Sequence, residues 1–173
     1  MNLKKSTIII CIVWALIILT GIIKNEIILH NGREVLLKTV PVDPRDLLMG
    51  DYVILNYEVG QVPSYYEYKP NSEVYTILKT DKNNIAKIDE ISYKKPSSKL
   101  FLKGKFTECD TVIPFWKNGH CIKYGIESYY VKEHTGRKLE KDLQDGALVN
   151  VVIDKNGNAK VKGFVDKLEI DKK

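Results

Sequence analysis

The chain has 173 residues, 44% of them hydrophobic and 28% charged, a balance that belongs to a folded domain and excludes a disordered or collagen-like polymer. Its net charge of +5 arises from 27 basic and 22 acidic residues spread along the whole length. No Lys/Arg run exceeds two residues, so the concentrated stripe of a nucleic-acid binder is missing and mild attraction to anionic lipid headgroups is the more natural consequence.

The first element is apolar throughout. Ser6 to Ile23 reads STIIICIVWALIILTGII, eighteen residues without a charge, between Lys4-Lys5 and Lys24. As a helix it would span about 27 Å, close to the ~30 Å hydrocarbon core of a bilayer. It has no polar face to set against solvent, unlike the core helix of a water-soluble domain. The residues that follow, Thr20-Gly21-Ile22-Ile23-Lys24-Asn25, lack the small-residue pattern of a cleavage site, so a retained anchor is expected rather than a removed signal peptide. Cys11 stands in mid-run behind Ile10, where it serves as a small apolar side chain and not as a lipidation site. Lys4, Lys5 and the amino terminus favour a cytoplasmic start, although Lys24, Arg33 and Lys38 lie close on the other side. The expected layout is a cytoplasmic leader at 1–5, a single-pass transmembrane anchor at 6–23, a juxtamembrane linker at 24–34 and an extracytoplasmic β domain at 35–173.

From Glu34 onward the pattern changes to short alternating runs between turn residues, which is a strand signature. Strands are expected at Val35–Val40, Asp51–Val59, Glu73–Thr80, Ile85–Tyr93, Leu100–Phe106, Cys121–Val131, Val149–Ile153 and Ala159–Phe164. In the second of these, Val53, Leu55 and Tyr57 share one face, and Tyr52, Ile54 and Asn56 share the other. Asp81-Lys82-Asn83-Asn84 and Asp154-Lys155-Asn156-Gly157-Asn158 read as hairpin turns, the second through its Asn-Gly pair. Gly60 to Ser72, with three Tyr and two Pro, reads as a loop, and Glu133–Asp145 as the one helix outside the anchor, with Leu139 and Leu143 on one face and Gly146 as its stop. The fold class expected is therefore mainly β: an N-terminal transmembrane helix followed by a compact β barrel or sandwich of about eight strands with one short helix.

Cys109 and Cys121 are a candidate disulfide, conditional on export to an oxidising space. Against the pairing, the two would not stand directly opposite each other in a hairpin turning at Lys117-Asn118-Gly119. No Cys-x-x-Cys occurs and His30, His120 and His134 are scattered, so neither a metal nor a cofactor is expected.

Enzyme signatures are short: there is no Gly-rich phosphate loop, no His-Glu-x-x-His and no Gly-x-Ser-x-Gly. The most concentrated chemistry is Asp43, Arg45, Asp46, Gly50 and Asp51 with Tyr52 and Tyr57. A guanidinium among three carboxylates suits a polar pocket that recognises a ligand, and equally a loop that ties itself together and caps a sheet edge. A second stretch holds Tyr124, Gly125, Glu127 and Tyr130; alternation sets Tyr124, Ile126, Ser128 and Tyr130 on one face, and Gly125 within a strand marks a bulge or a close backbone approach. Glu127 beside it is either a partner for Arg45 or a solvated outer-face carboxylate.

Val42-Asp43-Pro44-Arg45-Asp46-Leu47-Leu48-Met49-Gly50-Asp51-Tyr52-Val53-Ile54-Leu55-Asn56-Tyr57 resembles the defining segment of the GDYXXLXY family of uncharacterised membrane-anchored proteins. Gly50, Asp51, Tyr52, Leu55 and Tyr57 supply every letter of that name. Tyr124–Val131 and Gly136–Glu140 are similar to the family's second motif, so with the anchor the resemblance spans nearly the whole chain. It implies a membrane anchor and a small domain without an assigned activity. A fainter likeness, in the anchor, the apolar strand and Gly50-Asp51-Tyr52-Val53, is to the start of bacterial type I signal peptidases. Val42 to Met49 holds no Ser, Thr or Cys, so serine-lysine proteolysis does not carry over. The leading expectation is a non-enzymatic accessory or binding module at the cell envelope, with the membrane and another membrane protein as partners and no nucleic acid. The rival is a hydrolase or peptidase-like enzyme working with Asp43, Arg45, Asp46, Asp51 and Glu127.

Overall fold

The computed structural model describes residues 3–40, 52–62, 66, 69–109, 120–130 and 146–165. Its first element, α1 (Leu3–Asn31), is a 29-residue helix with no proline to interrupt it, and at 1.5 Å per residue it is about 44 Å long. Ser6–Asn31 is long and apolar enough to cross a membrane. Ile8, Trp14, Ile18 and Ile22 all remain exposed, so within the described fold no protein surface covers them. The helix does not stop at Ile23, where the continuous apolar run ends. It continues through the stretch expected to be a linker, because Ile28 is buried against the domain and holds the last turns in place.

α1 ends at Gly32, whose N–H bonds the Ile28 carbonyl at 3.0 Å. A Cβ at position 32 would lie 2.3 Å from Val152 Cγ1 and 2.6 Å from the Ile28 oxygen, so only glycine lets helix and sheet approach this closely. The next residue opens β1 (Arg33–Lys38).

Nine further strands follow among the described residues: β2 (Tyr52–Ile54), β3 (Gln61–Val62), β4 (Glu73–Thr80), β5 (Ala86–Ser92), β6 (Phe101–Glu108), β7 (His120–Lys123), β8 (Ser128–Tyr130), β9 (Leu148–Ile153) and β10 (Ala159–Val165). They form three antiparallel sheets ordered β1-β9-β10, β2-β8 and β3-β7-β6-β4-β5, which include a half-barrel. The first and third sheets touch through a bridge between Leu36 and Ile85, supported by the Leu36 N–H on the Asn84 carbonyl at 2.9 Å. One buried cluster draws Val35 and Leu37 from β1, Val53 from β2, Leu102 and Phe106 from β6, and Val149 and Val151 from β9. Each such side chain contributes roughly 1.5–3 kcal/mol by leaving water, so alternation in sequence becomes cohesion between sheets.

The mainly β expectation holds, with ten strands in place of eight. Two departures account for the difference. Gln61 and Val62, read as loop, pair with Cys121 and His120 as β3. The run expected as one strand from Cys121 to Val131 is two, β7 and β8, belonging to different sheets, because Gly125 between them takes φ +79° and turns the chain. The helix expected at Glu133–Asp145 and the turn at Lys117-Asn118-Gly119 lie outside the described residues.

Candidate functional site

Past β2 the alternation sends Val53, Leu55 and Tyr57 into the core, and a single 3-10 turn at Glu58–Gly60 then bends the chain toward β3. Tyr57 is only 3% exposed, too buried for its hydroxyl to rely on water. The hydroxyl donates to the Ile126 carbonyl at 2.8 Å. Two residues earlier in the motif, the Leu55 N–H donates to the Glu127 carbonyl at 2.6 Å. The two tyrosine-bearing segments are thus fastened to each other by one side-chain and one backbone bond.

Tyr124 completes the clasp from the other side. Its hydroxyl donates to the Val59 carbonyl at 2.6 Å and, having spent its one proton there, accepts from Thr76 Oγ1 at 2.8 Å. Burial pushes both phenols well above their ordinary range; the Glu127 carboxylate adds to that shift in each case, while the Thr76 bond partly opposes it at Tyr124. Both therefore act as neutral hydrogen-bond donors, and neither is poised to release a proton near neutrality.

Glu127 is committed locally. One carboxylate oxygen accepts the Tyr124 N–H at 2.5 Å and the other the Gly125 N–H at 2.9 Å, so the side chain caps the turn made by Gly125. It is neither the solvated outer-face group nor an isolated acid. Arg45, the partner suggested for it by sequence, lies outside the described residues, as do Asp43, Asp46, Gly50 and Asp51. Tyr52 is placed by its backbone alone, which pairs with Tyr130 across β2 and β8.

Tyr130 is 79% exposed, not inward-facing with Tyr124. The turn at Gly125 resets the alternation, so Tyr129 packs inward instead, edge-on against Phe164 with ring centroids 5.0 Å apart. Sequence reasoning missed Tyr129 and Thr76. For Thr76 a signal existed: it lies between Val74 and Leu78 on the apolar face of β4, and a hydroxyl there needs a buried partner.

Cys109 and Cys121 are bonded, with Cα atoms 5.1 Å apart. In register Cys121 faces Thr107, so the cysteines are not directly opposed. β6 ends at Glu108, however, and beyond its last paired residue the chain closes the diagonal gap that a regular ladder would leave.

Among the described residues, this arrangement fastens turns and strands together and engages the hydroxyls of both Tyr57 and Tyr124 within the fold. A family model described as GDYXXLXY protein matches residues 14–164. No curated protein and no solved structure matches the chain.

Proposed function

The chain belongs to the GDYXXLXY family, and from that premise we propose that it is a single-pass, membrane-anchored extracytoplasmic domain acting as a non-enzymatic accessory or binding module beside another membrane protein of the cell envelope. The observation that carries the reading is the clasp. Leu55 and Tyr57, two residues of the family's own motif, hold the fold against Ile126 and Glu127 by burial and backbone bonds, where an enzyme's signature residues would present reactive atoms to a pocket. The bonded Cys109–Cys121 pair supports the extracytoplasmic side, since such bonds persist in oxidising compartments. The 26-residue apolar span supports the tether.

The test uses Asp51→Asn and Glu127→Gln, made separately in the full chain and expressed in cells lacking the gene. An accessory module restores the cellular phenotype in proportion to how much folded, membrane-bound protein each variant supplies. Loss of the phenotype at wild-type abundance and wild-type melting temperature, in both variants, contradicts that reading and favours the hydrolase.

A further inference from the structure

Beside the end of α1 the domain forms a cleft of about 460 Å³. Asn25 and Ile28 of the helix line one side, and Lys103, Lys105, Lys123 and Lys160 line the other. Among the described residues no carboxylate lines it. A chain with 22 acidic residues spread along its length would ordinarily mix signs over such a surface. In register, Lys105 of β6 has Lys123 of β7 as its cross-strand partner on one side and Glu73 of β4 on the other. Glu73 takes up Lys103 at 2.5 Å from the neighbouring strand.

The depth of the cleft along the helix says what kind of anion can reach it. The uncharged run ends at Ile23, and Asn25 is the helical residue nearest the hydrocarbon boundary in this cleft, so the lysines stand at headgroup level. An adjoining cleft of about 760 Å³ extends along the helix, with Thr20, Ile23 and Ile27 on one side and Tyr75, Lys95, Lys103, Lys155 and Asp154 on the other, the Asp154 carboxylate being taken up within its own turn by Asn156 and Asn158. One wall is apolar and suits an acyl chain. The other carries an aromatic and three long cationic side chains against the single carboxylate of Asp154, and aromatic and lysine side chains are the groups that settle at a membrane interface with their stems in the apolar layer.

We propose that the paired clefts seat an anionic phospholipid of the membrane that holds the anchor, its phosphate drawn between Lys105, Lys123 and Lys160 and its acyl chain against Ile23 and Ile27. This rests on the membrane reading above. The bound lipid would fix the tilt of the domain on the bilayer surface, since the lysines lie on β6, β7 and β10 while the helix enters beside them.

The full-length chain, extracted from membranes in mild detergent, is incubated with equal amounts of phosphatidylglycerol and phosphatidylcholine, and the lipid retained after gel filtration is identified by mass spectrometry. Wild type should retain phosphatidylglycerol preferentially, and Lys105→Gln with Lys123→Gln should cut that preference on the order of tenfold at unchanged melting temperature. Lys160→Gln, on a different strand, should cut it severalfold and reports independently if the double variant misfolds. Equal retention of the two lipids by wild type, or an undiminished preference in the variants, overturns the proposal. So does complete displacement by inorganic phosphate at matched concentration, which would mark a free-anion site. Alkaline extraction of the starting membranes separates the two readings: release of the chain removes the anchor and the lipid site together, whereas an anchored chain without lipid preference removes the lipid site alone.

Discussion

The Tyr57 hydroxyl donates to the Ile126 carbonyl at 2.8 Å, a single buried bond that spans 69 residues of sequence. Tyr57→Phe keeps the ring and strands the carbonyl, and an unsatisfied buried acceptor costs about 1–3 kcal/mol. Thermal unfolding of the full chain in detergent should therefore show a lower midpoint, by roughly 2–4 °C for each kcal/mol in a domain of this size. An unshifted midpoint would mean that the hydroxyl has an equally good alternative partner and that the clasp is not structural.

Much of this architecture was legible beforehand, and the exceptions have physical causes. Period-two alternation set Val53, Leu55 and Tyr57 on one face, which proves to be the buried one, and the Asn156-Gly157 turn marked the β9–β10 hairpin, because side-chain alternation and turn chemistry are local in sequence. The split between β7 and β8 escaped, since an isolated glycine signals a bulge as readily as a change of sheet. The Glu127 cap was in principle readable: its acceptors serve N–H groups only three and two residues back. What no pattern could supply is the partner of each buried hydroxyl. Thr76 meets Tyr124 across 48 residues, and that meeting is decided by how β4 packs against the segment after β7. The Asp43 to Asp51 cluster, the most conspicuous chemistry in the sequence, lies outside the described residues, and its role is carried by the substitutions at Asp51.

Alkaline titration reports on the same clasp. The folded state raises the phenol pKa of Tyr57 and of Tyr124 above the ordinary value of roughly 10, chiefly through burial. Their contribution to stability is fully present below that pH. It declines as pH climbs past it, because the unfolded chain releases protons that the folded one retains. Of the ten tyrosines, fewer than ten should give phenolate absorbance while the fold persists. Tyr57→Phe and Tyr124→Phe should leave that reversible amplitude unchanged. Full ionisation of all ten before any loss of structure would contradict the buried assignment.

Gly32 sets the join between anchor and domain. Gly32→Ala brings a methyl group against Val152 and the Ile28 carbonyl, and overpacking of this kind costs about 1–3 kcal/mol. Limited proteolysis should cut faster between α1 and β1 in this variant, with a lowered unfolding midpoint. Gly21→Ala, where a Cβ meets nothing within 4 Å, is the matched control and should change neither.

The Cys109–Cys121 bond closes a loop with a sequence separation of 12. Replacing both cysteines with serine should lower unfolding free energy by about 2–4 kcal/mol. Alkylation of the denatured but unreduced chain should label Cys11 alone, and reduction should raise the count to three. Three labelled thiols without reductant, in protein taken directly from cells quenched in acid, would show that the domain does not reside in an oxidising space.

The membrane tether and the side on which the domain lies meet in one measurement: external protease applied to wall-stripped, intact cells that carry the full chain with a C-terminal epitope. The account predicts that the epitope is lost while cytoplasmic markers survive, and that a short fragment containing Ser6–Ile23 remains with the membrane. An epitope protected until the cells are lysed would contradict it.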